Sequence, residues 1–286
     1  MAISTLHLGV ANELVLCDSR GNVAEGEAMD LAHGSSFYPS AEVRAGDLDE
    51  LLSTDILVMC AGRVGRSDEL RLDLLKDNAN IASGIAERFK QYGGIVIVVA
   101  NTVDVLTQVF QETSGLDPSR VIDTGTMLDT SRLRETVGRA LDLSPRSIHA
   151  HVVGEHGDSE VVLWSSARSG GTALREWPRW RSELETPIAS EVRTAATEII
   201  KRKGATNHAI GLVTASLVGY VLRDERRVLT VSRLQTEGDC AGVTLSLPAT
   251  VTANGATDVV TPSLTEDERR ALRASADVIR AAVDSI

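Results

Sequence analysis

Short apolar segments alternate with helical patterns through the first half of the chain, and this alternation restricts the fold more than any other feature. The strand-like segments are rich in Val, Ile and Leu and lie at residues 13–17, 55–61, 95–100, 121–124 and 147–153. The helical patterns between them lie at residues 23–32, 70–92 and 102–113. Apolar strands separated by helices are typical of a parallel sheet that is covered on both faces. The pattern therefore predicts an α/β fold with a doubly wound parallel sheet.

The character of the sequence changes near residue 186. Two long helical patterns, at residues 186–203 and 207–223, lead into strand patterns at 228–231 and 243–251. The pair Asn254-Gly255 predicts a hairpin turn. Thr265 followed by Glu268 predicts a capping box at the start of a last helix, at residues 265–285. We therefore predict two domains, at residues 1–123 and 124–286, of which the first contains the parallel sheet and the second is an α+β domain.

Composition and charge exclude several classes of protein. The 286 residues carry a formal net charge of -11, and a pI of about 5.1 provides no basic surface for nucleic acid. No apolar run approaches the length of a membrane span, and the N-terminus lacks the pattern of a secretory signal. Cys17, Cys60 and Cys240 have no metal-ligand spacing and predict buried, reduced thiols in a cytoplasmic protein without a metal site.

A histidine between glycines is the first candidate for chemistry. His156 lies in the run Gly-Glu-His-Gly-Asp-Ser-Glu at residues 154–160, directly after the apolar segment 147–153. An imidazole at a strand end can exchange a proton near neutral pH, and a turn histidine that satisfies local hydrogen bonds is the alternative. Upstream, Asp129 and Arg132 are three residues apart at the start of a helical pattern, which places both on one helical face.

Polar and small residues also follow several of the predicted strands. In a parallel sheet, ligands bind at the carboxyl ends of the strands. Asp18 ends the first apolar segment and could accept both hydroxyls of an adenosine ribose, or simply cap a turn. Ala61 and Gly62 let the backbone approach a cofactor, although an ordinary turn looks the same. Asn101 offers an amide to a substrate or a nicotinamide.

Six motifs in this order are shared with a known family. They read Glu-Leu-Val-Leu-Cys-Asp at 13–18, Gly-Glu-Ala-Met-Asp-Leu-Ala-His-Gly at 26–34, Arg-Leu-Asp-Leu at 71–74, Asn-Thr-Val-Asp at 101–104, Leu-Asp-Thr-Ser-Arg at 128–132 and the run at 154–160. On these motifs the chain resembles the lactate and malate dehydrogenase family over essentially its whole length. The resemblance implies a Rossmann-type domain and a substrate domain. It also implies NAD-linked interconversion of an L-2-hydroxy acid and its 2-keto acid by a homo-oligomer, a tetramer or a dimer.

That reaction needs the residue types found here. Moving a hydride from the hydroxyl-bearing carbon requires a base for the hydroxyl proton, and His156 can act as this base and as the acid in the reverse direction. Asp129 would hold the imidazole tautomer and stabilise its cation. Arg132 has the planar fork that grips a carboxylate. In the family, the arginine that matches Arg71 closes over the substrate and polarises its carbonyl. A surface salt bridge is the alternative for either arginine.

The resemblance also implies the contacts to the cofactor and the substrate. Gly62 and Gly65 would let the loop before Arg71 move as a lid. Asn101 would contact the substrate as well as the cofactor. The positions that match NAD-contacting residues are Asp18, Ala61, Gly62, Asn101, Thr124 and Ile210.

The residues that determine substrate specificity in the family do not all favour the same substrate. The run at 154–160 and Thr206, just before Ile210, resemble lactate-type members, which favours L-lactate and pyruvate as substrates. Gly65 occupies the specificity position of the lid, where lactate enzymes carry Gln and malate enzymes carry Arg. Glycine there predicts a pocket open to pyruvate and to bulkier 2-keto acids. Arg63 or Arg66 could still swing in and favour oxaloacetate, so a malate or broad 2-hydroxy acid dehydrogenase is the alternative.

Four positions bear on regulation and local geometry. Thr102 stands where the family usually has proline, and Asp123 replaces a small residue, commonly glycine. A carboxylate at position 123 would need a partner.

Arg134 and His149 match positions that bind fructose 1,6-bisphosphate across a subunit interface in some bacterial lactate dehydrogenases. A basic pair that balances acidic neighbours is the alternative.

The N-terminal region departs most from the family. Its dinucleotide fold begins with a strand and a Gly-x-Gly-x-x-Gly turn that seats the pyrophosphate on a helix N-terminus. Residues 1–8 instead predict the end of the following helix. Without the first strand, we expect a gap in the sheet between two buried strands. Either the start codon is placed too late and the cellular protein is longer, or the chain is a truncated, non-catalytic relative that binds or assembles with a partner.

Overall fold

The computed structural model describes residues 1–63, 65 and 70–286, with the side chain of Arg71 outside this description. The elements of the first half are α1 (Ala2–Leu8), β1 (Glu13–Leu16), α2 (Gly21–His33), β2 (Glu42–Ala45), β3 (Ile56–Met59), α3 (Arg71–Ala86), β4 (Ile95–Val98), α4 (Val103–Ser114) and β5 (Val121–Asp123). The elements of the second half are α5 (Met127–Leu141), β6 (Ile148–His149), β7 (Val152–Val153), β8 (Val161–Val162), β9 (Arg168–Ser169), β10 (Thr172–Ala173), α6 (Glu185–Lys203), α7 (His208–Leu222), β11 (Arg227–Leu234), β12 (Thr244–Thr252), β13 (Gly255–Val259) and α8 (Glu266–Val283).

The main sheet has the strand order β13-β12-β11-β5-β4-β3. Its β3, β4 and β5 are parallel, with Ile97 of β4 beside Val58 of β3 and Ile122 of β5. The longer strands β11, β12 and β13 continue the sheet in antiparallel pairing. The domain boundary predicted after residue 123 falls at the end of β5 and stays a prediction.

Both faces of the parallel strands are covered, which explains their uniform apolarity. Because side chains alternate between the faces of a strand, Val96 and Val98 of β4 point one way and Ile97 the other. The two valines pack in a core with Phe110 of α4, while Ile97 packs in a core with Leu217 of α7. The prediction of a doubly wound parallel sheet is confirmed.

The sheet is interrupted beside β3, where the sequence led us to expect a gap. β1 and β2 pair in parallel as a separate two-stranded sheet, and no strand of the described residues lies between β1 and β3. The two parts still share a core, since Val15 of β1 packs against the cluster that contains Leu57 and Met59 of β3.

Local signals located most of the other elements. The hairpin turn at residues 254–255 joins β12 to β13. The capping box is present, because Thr265 Oγ1 accepts the Glu268 N–H at 3.2 Å and the Glu268 carboxylate accepts the Thr265 N–H at 2.9 Å. Among the described helices, none is long and apolar enough to cross a membrane.

Two expectations were wrong. The segment 147–153 is two short strands, because β6 pairs with β9 whereas β7 pairs with β8. Of the three cysteines, all of which are free thiols, only Cys240 is buried, and Cys17 and Cys60 are exposed. Cys17 and Cys60 directly follow the last residues of β1 and β3, so they lie at the strand ends and not within the strands.

We expect Gly125→Ala to destabilise the protein more than Gly115→Ala. Both glycines have left-handed backbones, with φ of 44° and 66°. A Cβ at position 125 would lie 2.3 Å from Ser246 Oγ and 2.7 Å from Ser232 N, whereas the described residues leave open space around position 115. Backbone strain costs about 1–2 kcal/mol at either site, and overpacking adds about 1–3 kcal/mol at Gly125. Urea unfolding measures both losses, and equal losses would contradict this account of the β5–α5 turn.

Candidate active site

The loop that carries His156 is fixed on both sides. Gly154, with a φ of 87°, exchanges two backbone hydrogen bonds with Ser246 of β12, at 2.9 and 3.0 Å. The backbone N–H of His156 itself donates to Asp104 Oδ2 at 2.8 Å. Since Asp104 lies in the first turn of α4, the histidine is held between the strand of one half of the chain and a helix of the other.

One buried carboxylate joins the histidine to an arginine. His156 Nδ1 lies 2.6 Å from Asp129 Oδ2, and Arg132 Nη1 donates to Asp129 Oδ1 at 2.6 Å. The Asp129 side chain is only 3% exposed, against 27% for His156 and 15% for Arg132. The two α5 residues share one helical face, as their spacing predicts. With Nδ1–H donated to the carboxylate, Nε2 of the imidazole is the nitrogen that can exchange a proton with a ligand.

The charges of this cluster favour a protonated histidine. Burial alone lowers the pKa of His156, but the charge and the hydrogen bond of Asp129 outweigh it and raise the pKa to about 9. Burial opposes ionisation of Asp129 as well, yet His156 and Arg132 together hold its pKa below the ordinary value. At neutral pH the pair is therefore an imidazolium and a carboxylate.

Three further carboxyl groups lie close to this pair, and the sequence did not mark them as site residues. Burial raises the pKa of Asp104 to about 6, that of Asp123 to about 8 and that of Glu160 to about 8. Asp104 and Glu160 belong to motifs that the sequence did single out. The sequence also singled out Asp123, as a carboxylate that would need a partner, but not as a site residue.

Buried Asn78 of α3 connects the carboxyl ends of β3 and β4. Its Oδ1 accepts the Arg63 N–H at 2.8 Å, and its Nδ2 donates to the Asn101 carbonyl at 3.3 Å. A Cβ at Gly62 would lie 3.4 Å from the same Oδ1. The structure thus brings Gly62 and Asn101 together, and the Asn101–Thr102 peptide is cis. Asn78 was not predicted from the sequence.

The end of β1 has the polar group that a dinucleotide ribose would need. Asp18 is exposed, and its Oδ1 accepts the Arg20 N–H at 2.8 Å. This bond holds the pKa of Asp18 below its ordinary value. The exposed carboxylate at β1 and the glycine at the end of β3 fit the ribose and the backbone approach of an NAD molecule lying along these strand ends.

The remaining predicted residues follow β5, belong to the region around the start of α7, or lie in or near the loop before α3. Thr124 is buried directly after β5. Thr206 lies two residues before α7 and Ile210 lies in its first turn. Both are half-buried, and α7 packs against α5. Gly65 is exposed. Arg66 and the side chain of Arg71 lie outside the described residues.

The two residues predicted for sugar bisphosphate lie on a separate surface. Arg134 of α5 is half-buried and donates from Nε to the Ala150 carbonyl at 3.1 Å. His149 of β6 is exposed beside Arg168 of β9. Among the described residues, no group of His, Cys, Asp and Glu is placed to hold a metal ion.

Comparison with known proteins decides the family. A family model described as the NAD binding domain of lactate/malate dehydrogenase matches residues 1–123, and one described as the alpha/beta C-terminal domain matches residues 126–286. The chain belongs to the lactate/malate dehydrogenase family. NAD is therefore its cofactor, and the resemblance that the sequence motifs indicated is confirmed.

Several family members are similar to this chain over nearly its whole length. The L-lactate dehydrogenase of Synechococcus sp. (strain JA-3-3Ab) is 42% identical over 289 residues, which cover 100% of this chain and 94% of the relative. That of Thermus aquaticus is 39% identical over 97% of this chain and 92% of its own length. The crystal structure of minor L-lactate dehydrogenase from Enterococcus mundtii in the ligands-bound form has a TM-score of 0.96 at 36% identity, covering 100% of this chain and 93% of that one.

We expect Asp129→Asn to lower the pKa of His156 from about 9, because burial would then act without the opposing charge. Arg132→Gln is the control of opposite sign, since the Arg132 charge lowers the pKa of His156. Histidine NMR titration measures both changes, with His156→Gln assigning the resonance. An unchanged pKa in Asp129→Asn would contradict the electrostatic account.

Proposed function

We propose that this chain catalyses the NAD-dependent interconversion of L-lactate and pyruvate. The observation that carries the proposal is the Asp129 carboxylate, which bonds His156 and Arg132 at 2.6 Å each. This bridge holds a proton-transfer group and a carboxylate-binding group close together, and lactate presents a hydroxyl and a carboxylate on neighbouring carbons. The relatives described above carry the name L-lactate dehydrogenase, which supports the same activity.

The arrangement suggests how the chain's own residues would act. The chemistry that NADH would supply when bound is a hydride for the carbonyl carbon in the reduction direction. Arg132 pairs with the substrate carboxylate, because a guanidinium has five N–H donors and only Nη1 is bonded to Asp129. His156 donates its Nε2 proton to the carbonyl oxygen, and in lactate oxidation it accepts the hydroxyl proton. The carbonyl-polarising role of Arg71 is part of the proposal on the resemblance alone.

The cofactor contacts are also part of the proposal. Asp18 would bind the adenosine ribose, Ala61 and Gly62 would lie beneath the dinucleotide, and Asn101 would contact its nicotinamide end. Thr124 and Ile210 would contact the nicotinamide from the β5 and α7 sides. The support is that Ala61, Gly62, Asn101 and Thr124 follow the parallel strands β3, β4 and β5, and that Asp18 follows β1. For Ile210 of α7, the support is the resemblance alone.

Substitution of His156 provides the catalytic test. His156→Gln should lower kcat for pyruvate reduction by about 10²–10⁴-fold, the usual contribution of a general acid. In the wild type, kcat/KM for pyruvate should fall as pH rises through about 9, because reduction needs the protonated imidazole. For lactate oxidation it should rise over the same range. His7→Gln, an exposed histidine of α1, is the matched control, and equal activity of the two variants would contradict the role of His156.

The same assay addresses substrate range. The exposed Gly65 carries no side chain that could reject a larger substrate. We therefore propose that Thr206 and Gly65 line a pocket that accepts pyruvate and bulkier 2-keto acids such as 2-ketoisocaproate. A strong preference for oxaloacetate would instead identify a malate dehydrogenase.

A non-catalytic relative is the second candidate, and the separate β1–β2 sheet is the observation that favours it. An NADH titration of the 286-residue chain separates the two. Binding with turnover supports the enzyme, and a folded chain without NADH binding supports the non-catalytic relative.

Assembly and location complete the proposal. We propose a homo-oligomer, a tetramer or a dimer, because Phe37 and Met29 near the end of α2 are 87% and 60% exposed and large exposed apolar side chains favour association. The three free thiols support a cytoplasmic location.

A sugar bisphosphate effector is proposed for the surface around Arg134 and His149. The charges of these two residues add to burial in lowering the pKa of His151 to about 4, and Arg227 acts on Arg134 in the same way. The guanidinium groups of Arg134 and Arg227 therefore lie close enough for their charges to add, as an anion site requires. Fructose 1,6-bisphosphate should raise kcat/KM for pyruvate, less so in His149→Gln, whereas inorganic phosphate serves as the control. No activation would remove this part of the proposal.

A further inference from the structure

Two aspartates meet in the buried region behind His156. Asp104 belongs to the first turn of α4 and is 3% exposed, while Asp123 ends β5 and is 0% exposed. Ser232 of β11 lies opposite Asp123 in the sheet register and donates its hydroxyl to Asp104 Oδ1 at 2.6 Å. One serine thus connects the strand of Asp123 to the carboxyl group of Asp104.

The hydrogen bonds of the two carboxyl groups are unequal. Asp104 accepts on both oxygens, from Ser232 on Oδ1 and from the His156 N–H on Oδ2 at 2.8 Å. Asp123 Oδ1 accepts the Gly125 N–H at 2.6 Å. Its other oxygen, Oδ2, is buried and accepts no hydrogen bond within the described part of the chain. The nearby Thr107 hydroxyl, which lowers the pKa of Asp123, donates instead to the Val103 carbonyl at 2.8 Å. An unpartnered buried anionic oxygen is costly, so a proton on Asp123 is the stable arrangement.

We propose that Asp104 and Asp123 form a buried carboxyl pair that holds one proton, and that the charge of this pair adds to the charge of Asp129 in raising the proton affinity of His156. The link to His156 is the bond from its backbone N–H to Asp104. Asp123 acts as a positioning residue in this arrangement and does not touch the substrate. The consequence for catalysis rests on the proposed function, but the protonation of Asp123 does not.

Other charges face the imidazole from every neighbouring element. Asp129 and Arg132 face it from α5, Asp104 from α4 and Asp123 from the end of β5, and Glu155 and Glu160 belong to its own loop. Burial raises the pKa of Asp123 above that of Asp104, to about 8 against about 6, and the charge of Asp104 adds to the shift. The proton of the pair therefore resides on Asp123 near neutral pH.

The order of the two pKa values, with Asp123 above Asp104, predicts how the site responds to pH. Between about pH 6 and 8 the pair carries one negative charge, on Asp104. As pH rises through about 8, Asp123 loses its proton, and a second negative charge forms behind His156. That charge stabilises the imidazolium, so His156 stays protonated to a higher pH than Asp129 alone would allow.

Asp123→Asn tests the link to His156 because it retains the shape of the protonated carboxyl and cannot ionise. A unit charge several ångströms away in a protein of effective dielectric constant near 20 shifts a pKa by about one unit. We therefore expect Asp123→Asn and Asp123→Gly to lower the NMR pKa of His156 by about one unit. Asp277→Asn on α8 removes an exposed carboxyl group far along the chain and should leave the pKa of His156 unchanged.

The pH dependence of the stability tests whether Asp123 holds a proton in the folded protein. A carboxyl whose pKa is raised in the folded state, here from 3.8 to about 8, stabilises the fold fully below pH 3.8 and loses this contribution as pH rises through about 8. The difference in Tm between Asp123→Asn and the wild type should therefore become more favourable to the variant from pH 5 to pH 8.5. Asp277→Asn should show no such trend.

The outcomes separate this proposal from the proposed function. A pH-independent Tm difference together with an unchanged His156 pKa in both Asp123 variants would overturn the carboxyl pair, even in an active enzyme. Wild-type protein that fails to reduce pyruvate would overturn the proposed function, whereas the NMR and Tm measurements would still decide the pair. If the enzyme is active, the fall of kcat/KM for pyruvate should move to lower pH in Asp123→Asn by the same interval as the pKa.

Discussion

The buried carboxylate of Asp129 is the group on which the site depends. It is 2% exposed as a residue and bonds an imidazole through one oxygen and a guanidinium through the other. A buried carboxylate is stable only when such partners compensate for its lost hydration. The bond to His156 also orients its ring and keeps it protonated. One contact therefore stabilises the buried Asp129 and provides the site with an acid.

The sheet explains why these groups meet. Parallel β3, β4 and β5 bring the segments at residues 61–63, 101–104 and 123–126 to one edge, where Asn78 connects the first two. Antiparallel β11 and β12 then bring Ser232 and Ser246 against the end of β5 from the second half of the chain. His156 lies where the two halves join, held through Gly154 on one side and Asp104 on the other.

The sequence predicts what is local and misses what depends on long-range neighbours. Apolar runs, the turn at 254–255 and the box at Thr265 each carry their signal within a few residues. β2 was missed because its sequence, Glu-Val-Arg-Ala, has no apolar run. Residues 147–153 were predicted as one strand because the two short strands there differ only in their pairing partners. Spacing and family motifs indicated His156, Asp129 and Arg132. The meeting of Asp104 with Asp123 follows from the packing of α4, β5 and β11, which no local pattern encodes.

The central claim is that His156 supplies the proton from within the site. A rapid-mixing experiment tests it directly, with NADH-loaded protein mixed with pyruvate at pH 7.5 in weak buffer containing a pH indicator. With the pKa of His156 at about 9, the histidine is already protonated before mixing. NADH oxidation in the first turnover should therefore precede proton uptake from solution, which follows when lactate leaves. Proton uptake in step with NADH oxidation would show that the proton comes from solution and would contradict the claim.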